Sequence, residues 1–146
     1  MTYPLWIVVA NSARARFLVR PGEGLPLTEV SDWVNSGMRM HLHPQDLGTT
    51  HRKSGIPGRR GLAPRSSEED KARGKFAQAI CQRLTQAVLA HEAEAIAFFA
   101  SNPFLGELLG HAQGGLEKHL HTIHALDLTA LALTALDQQL AQNHHL

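Results

Sequence analysis

The chain has 146 residues, 43% of them hydrophobic and 18% charged, with a formal net charge of +1. That length suits a single domain around one core, and that composition excludes a disordered chain. A net charge so close to zero excludes a global attraction to polyanions, so any such contact must arise from local clustering. The one cysteine, Cys81, excludes an internal disulfide framework and fits a reducing compartment. No apolar run approaches the ~20 residues that span a bilayer, and Met1-Thr2-Tyr3-Pro4 has no basic leader character, so a cytoplasmic protein without membrane insertion is expected.

The continuous apolar run Leu5–Ala10 predicts a strand covered on both faces. Asn11-Ser12 makes a short polar turn. A second strand follows, with Ala13, Ala15, Phe17 and Val19 on one face and Arg14, Arg16 and Leu18 on the other. Pro21-Gly22-Glu23-Gly24 turns the chain into a third strand over Leu27 to Val34, which suggests an antiparallel meander. Asn35 to Arg65 has no clear periodicity and is rich in Gly and Pro, so a long loop is expected there.

Ser66 or Ser67 then caps the strongest helix, with Glu68, Glu69 and Asp70 in its first turn, where the helix dipole favours negative charge. Its core stripe is Ala72, Phe76, Ile80, Leu84 and Val88, joined by Ala77 and Cys81; Gly74 weakens it locally. Ala95–Ala100 reads as a central strand. Asn102-Pro103 reads as a cap followed by proline at the first helical position, and Phe104, Leu105, Leu108 and Leu109 line the inner face of a short helix. A strand is expected at His119 to His124, then a terminal helix capped by Thr129 that carries Leu133, Leu136 and Leu140. The order β-β-β-α-β-α-β-α describes one α/β domain over residues 1–146, a mixed sheet flanked by helices, with no internal repeat.

Several of these pieces together resemble the bacterial "protein required for attachment to host cells" family. They are Trp6-Ile7-Val8-Val9-Ala10-Asn11 with Ala13-Arg14-Ala15-Arg16, Phe76-Ala77, Ala97 to Ala100, Leu105-Gly106-Glu107-Leu108 and Asp127-Leu128-Thr129. No single motif is specific; their order and spacing across nearly the whole chain carry the resemblance. That family is similar to the middle domain of archaeal and eukaryotic peptide-chain release factors, which implies a ribonuclease H-like sheet. It also implies a loop, between the third strand and the first long helix, that in a release factor bears a Gly-Gly-Gln tip for peptidyl-tRNA hydrolysis.

Here the corresponding segment, Asn35 to Arg65, has no Gly-Gly-Gln. The first strand ends in Asn11, where relatives often carry an acid. A ribonuclease H-type site needs several carboxylates to hold two Mg²⁺ ions, and the first strand has none. Shared fold is not shared chemistry. These absences point away from an enzyme and from a bound cofactor, and leave a divergent hydrolase as the weakest reading.

The segment's charge is its chemical signal. Arg39, Arg52, Lys53, Arg59, Arg60 and Arg65 face a single acid, Asp46. Arginine forks pair with phosphate oxygens, and interspersed glycines allow close approach to an RNA backbone; a solvated basic loop is the plain alternative. Without interleaved aromatics, no base-stacking platform is expected. Among the ten histidines the sets are His41-x-His43 and His119-x-His121-x-x-His124; His119 and His121 would share a strand face and are weak metal candidates, with His124 on the opposite face and no carboxylate or thiol beside them. Cys81 sits on the apolar helix face as a core thiol. The leading expectation is a non-enzymatic domain that contacts the ribosome, rRNA or tRNA through the basic segment. The alternative is a protein-interaction or self-associating module with an indirect role in attachment.

Overall fold

The computed structural model describes residues 2–39 and 55–146, and side chains over 2–38 and 68–146. The elements run β1 (Leu5–Ala10), β2 (Arg14–Arg20), β3 (Thr28–Val34), α1 (Ser36–Arg39), α2 (Gly55–Leu89), β4 (Ala95–Ala100), α3 (Phe104–His111), a 3-10 turn (Gly115–His119), β5 (Leu120–His124) and α4 (Leu133–His144).

The five strands form one sheet in the order β3-β2-β1-β4-β5. The meander β1-β2-β3 is antiparallel, with Leu5 opposite Arg20 and Ala10 opposite Ala15. β1 and β4 are parallel, in register from Leu5–Ala95 to Ala10–Ala100, and β5 continues the parallel half. β1 and β4 are buried at every position because both sheet faces are covered. Strand period assigns their residues to two cores. Trp6, Val8, Ala10, Ile96 and Phe98 pack beneath α2 and α3 with Phe76, Ile80, Leu84 and Leu108. Leu5, Ile7, Val9, Ala97 and Phe99 pack beneath α4 with Leu128, Leu136, Leu140 and Leu146. Each fully buried Val, Leu, Ile or Phe among them contributes about 1.5–3 kcal/mol, the alanines less.

Four expectations need correction. Of the predicted loop 35–65, residues 40–54 lie outside the described residues; at its two ends, α1 at Ser36–Arg39 and α2 beginning at Gly55 take the place of loop and of the helix start at Ser66 or Ser67. Pro57 lies in the first turn of α2, where a missing N–H costs nothing, and Arg59, Arg60, Leu62, Ala63 and Arg65 are good helix formers. The Gly and Pro residues, Pro64 in the helix interior included, do not end the helix. At the second site, α3 begins at Phe104 with Pro103 at the cap position and no side-chain cap. The backbone closes that turn itself, Leu105 N–H donating to Ser101 C=O at 3.0 Å and Gly106 N–H to Pro103 C=O at 3.0 Å.

Third, His119 ends the 3-10 turn, so β5 begins at Leu120. Fourth, Thr129 does not cap α4, whose cap position is Ala132. Its hydroxyl is engaged elsewhere, as described next. α2 reaches α1 through a close approach at Gly37: a Cβ there would lie 2.7 Å from that of Ala72, so a side chain cannot fit without movement. Ala72 of the predicted core stripe thus packs against α1.

Candidate functional site

The β1–β2 turn is held from both sides by Asn11. Its Oδ1 accepts the N–H groups of Ala13 (2.8 Å) and Arg14 (2.9 Å). Its Nδ2 donates to Asp127 Oδ2 (3.0 Å) and to Thr129 Oγ1 (3.2 Å). Two acceptor and two donor positions are the whole capacity of a carboxamide, and all are used. Asp127 Oδ1 accepts from the Thr129 amide (2.9 Å) and the Thr129 hydroxyl (2.6 Å). Burial raises the Asp127 pKa, yet the hydrogen bonds from the Thr129 hydroxyl, Asn11 and the Thr129 amide together leave it lowered.

The alternation of β2 puts Arg14, Arg16 and Arg20 on the face that α4 covers. Arg14 forks onto Asp32 through Nε (2.9 Å) and Nη2 (2.7 Å), and this hydrogen bond holds the Asp32 carboxyl below its usual range. Arg16, only 4% exposed, forks onto Glu29 at 2.9 and 2.8 Å. Arg14 and Arg16 both donate to the Thr129 carbonyl, at 3.1 and 3.0 Å, and Arg16 also reaches the Leu131 carbonyl. Arg20 bonds the Leu146 carbonyl (2.8 Å) and Asp137 (2.6 Å). Asn11, Arg14 and Arg16, singled out by the resemblance, therefore fasten the hairpin to the segment 127–131. Their partners in that segment lie more than 100 residues away, which no local pattern in one sequence reveals.

Of the basic candidates, Arg39 is the last residue of α1, and Arg59, Arg60 and Arg65 belong to the N-terminal part of α2. Arg52 and Lys53 lie outside the described residues. The basic residues do not end at Arg65: the same helix continues through Lys71 and Lys75. From residue 39 to 89 the chain has ten bases and four acids; elsewhere it has four bases and nine acids. Three of those four outlying bases, Arg14, Arg16 and Arg20, are in ion pairs on the sheet. A chain of net +1 thus has strongly separated charge.

His119 Nδ1 lies 3.2 Å from the Glu94 carbonyl oxygen, and His121 is exposed on β5. Because His119 is outside the strand, the two do not share a strand face. Among the described residues, no three His, Cys, Asp or Glu side chains are grouped as metal ligands. Burial pushes the Cys81 thiol up to about 11, and its Sγ lies 3.5 Å from the Leu108 carbonyl, as suits a protonated core thiol.

Fold and site together define a single α/β domain: a five-stranded mixed sheet with helices on both faces, an internally bonded hairpin turn and a basic long helix. Residues 6–140 match the family described as "protein required for attachment to host cells", and the chain belongs to that family. Among solved structures, it is similar to Dom34 of S. cerevisiae, described as a translation termination-like factor involved in RNA quality control pathways and interacting with Hbs1. That match has 10% identity and a TM-score of 0.48, and covers 99% of this chain but 34% of the other. The chain thus spans about a third of that protein. Comparison with curated protein sequences gives no match.

Proposed function

We propose that this protein is a non-enzymatic binding domain that contacts a ribosomal or other translation-associated RNA surface through its basic segment, Arg39 to Arg65. The observation that carries this reading is the charge separation, ten bases against four acids over residues 39–89 and the reverse elsewhere. Counterion release from phosphates would favour such a surface despite the near-zero net charge. Support also comes from the hairpin turn, whose Asn11, Arg14 and Arg16 are occupied by internal partners. They serve as a fastening, and the recognition chemistry falls to the basic segment.

The test is co-sedimentation of the purified protein with bacterial ribosomes across a salt series. Wild type is expected to bind at low salt and to release steeply as salt rises. Arg59→Glu/Arg60→Glu is expected to lose most of that binding. Absence of wild-type binding at low salt would remove the ribosome from this reading.

A second reading, a protein-interaction or self-associating module, is favoured by β3. This edge strand leaves Val30 and Val34 exposed, at 46% and 53%. Salt-insensitive oligomerisation in analytical ultracentrifugation, abolished by Val34→Lys, would favour it over the first.

A further inference from the structure

We propose that the outward face of α2 from Lys71 to Gln86 is a second nucleic-acid contact, a track for a single RNA strand that continues the basic segment along the same helix. It rests on the RNA reading above but names a different set of residues. Lys71, Lys75, Gln78, Gln82 and Gln86 are all exposed, and their three- and four-residue spacing places them along one helix face. At 1.5 Å per residue the ridge is about 22 Å long. It stands opposite the core stripe of Phe76, Ile80 and Leu84.

No acid occurs between Asp70 and Glu92. Two of the four cations in that interval are spoken for: Arg73 pairs with Asp70, and Arg83 lies 4.9 Å from the Trp6 ring centre and 3.8 Å from Glu92. Lys71 and Lys75 carry no ion pair among the described residues. Hollows flank the ridge on both sides. One, of about 490 Å³, is lined by Asn35, Gly37, Glu68, Lys71 and Lys75. The other, of about 430 Å³, is lined by Gln78, Gln82, Gln86, Thr85 and His111.

The two ends differ in chemistry. Lysine ammonium groups attract phosphates as point charges without sequence preference. Glutamine carboxamides both donate and accept, so they suit base edges and the 2′-hydroxyl of a strand whose bases are unpaired. Glu68, three residues before Lys71, borders the same hollow and disfavours a phosphate at its own end, which confines the backbone contact to Lys71 and Lys75.

The test is fluorescence anisotropy of a labelled, unstructured 12-nucleotide RNA across a salt series. It compares wild type, Lys71→Gln/Lys75→Gln, Gln78→Ala/Gln82→Ala and Arg59→Glu/Arg60→Glu, each checked by circular dichroism. Loss of two phosphate contacts should lower the slope of log K against log salt by about 1.4, at roughly 0.7 per contact for single strands. The glutamine pair should weaken binding several-fold with the slope unchanged. If neither α2 variant alters affinity or slope while Arg59→Glu/Arg60→Glu weakens binding, the track is wrong and the basic segment stands. If wild type does not bind this RNA at low salt, the track falls whatever the ribosome experiment shows.

Discussion

At the scale of the residue, Asn11 shows why one polar side chain can outweigh its size. It neutralises nothing, yet it joins two chain segments through four hydrogen bonds, two to backbone amides and two to side chains. Asn11→Asp keeps the two acceptor roles and loses both donors, and it sets a second carboxylate against Asp127. A loss of about 1–3 kcal/mol in urea unfolding at pH 7 is expected, shrinking toward pH 3 as the pair takes up a proton. An unchanged midpoint would show that the segment 127–131 is held by Arg14 and Arg16 alone. The lowered pKa of Asp127 has its own consequence. Its contribution is complete above the unfolded carboxyl value of about 3.9 and fades as pH falls below it. The acid limb of the stability profile should be shallower in Asn11→Ala than in wild type.

At the scale of the element, α4 is fixed by its leucines, by Arg20 and by an aromatic cluster at its end. His144 packs edge-on against Phe99 at 4.9 Å and lies 4.6 Å from His124, which stacks on Phe99 at 4.9 Å. Burial, with the neighbouring His124 and His145, lowers the His144 pKa. Since the unfolded histidine takes its proton first, near pH 6.5, the folded state loses stability as pH falls below that value. His144→Phe, with no group to protonate, should flatten the thermal stability profile between pH 7 and 5. A profile as steep as wild type would shift the cause to another histidine.

The strands of this architecture were legible in the sequence because unbroken apolar runs and strict alternation leave few readings for Leu5–Ala10, Arg14–Arg20 and Ala95–Ala100. The start of α2 was not, since Gly and Pro signal a break although the arginine, leucine and alanine around them favour a helix. Neither Asn102 nor Thr129 caps its helix, because a cap-forming side chain competes with other ways of closing the turn. The Thr129 hydroxyl is taken by Asp127, and in α3 the backbone closed its own turn. Asn11, Arg14 and Arg16 were visible as a motif, but their fastening role depends on a segment brought back by the tertiary fold.

At the scale of the whole molecule, net charge and charge distribution give opposite expectations, and they can be separated. If only the total of +1 mattered, any single reversal of a base to an acid would change affinity for a polyanion equally. Ionic screening argues otherwise, because charges farther apart than about 8–10 Å in physiological salt act almost independently. Arg60, within the basic half, and Lys118, exposed beside Glu117 outside it, allow an equal-charge comparison. On a heparin column, Arg60→Glu should elute at clearly lower salt than wild type, and Lys118→Glu close to wild type. Equal shifts for both would mean that the basic segment does not act as a local surface, and the charge argument for RNA contact would fail with it.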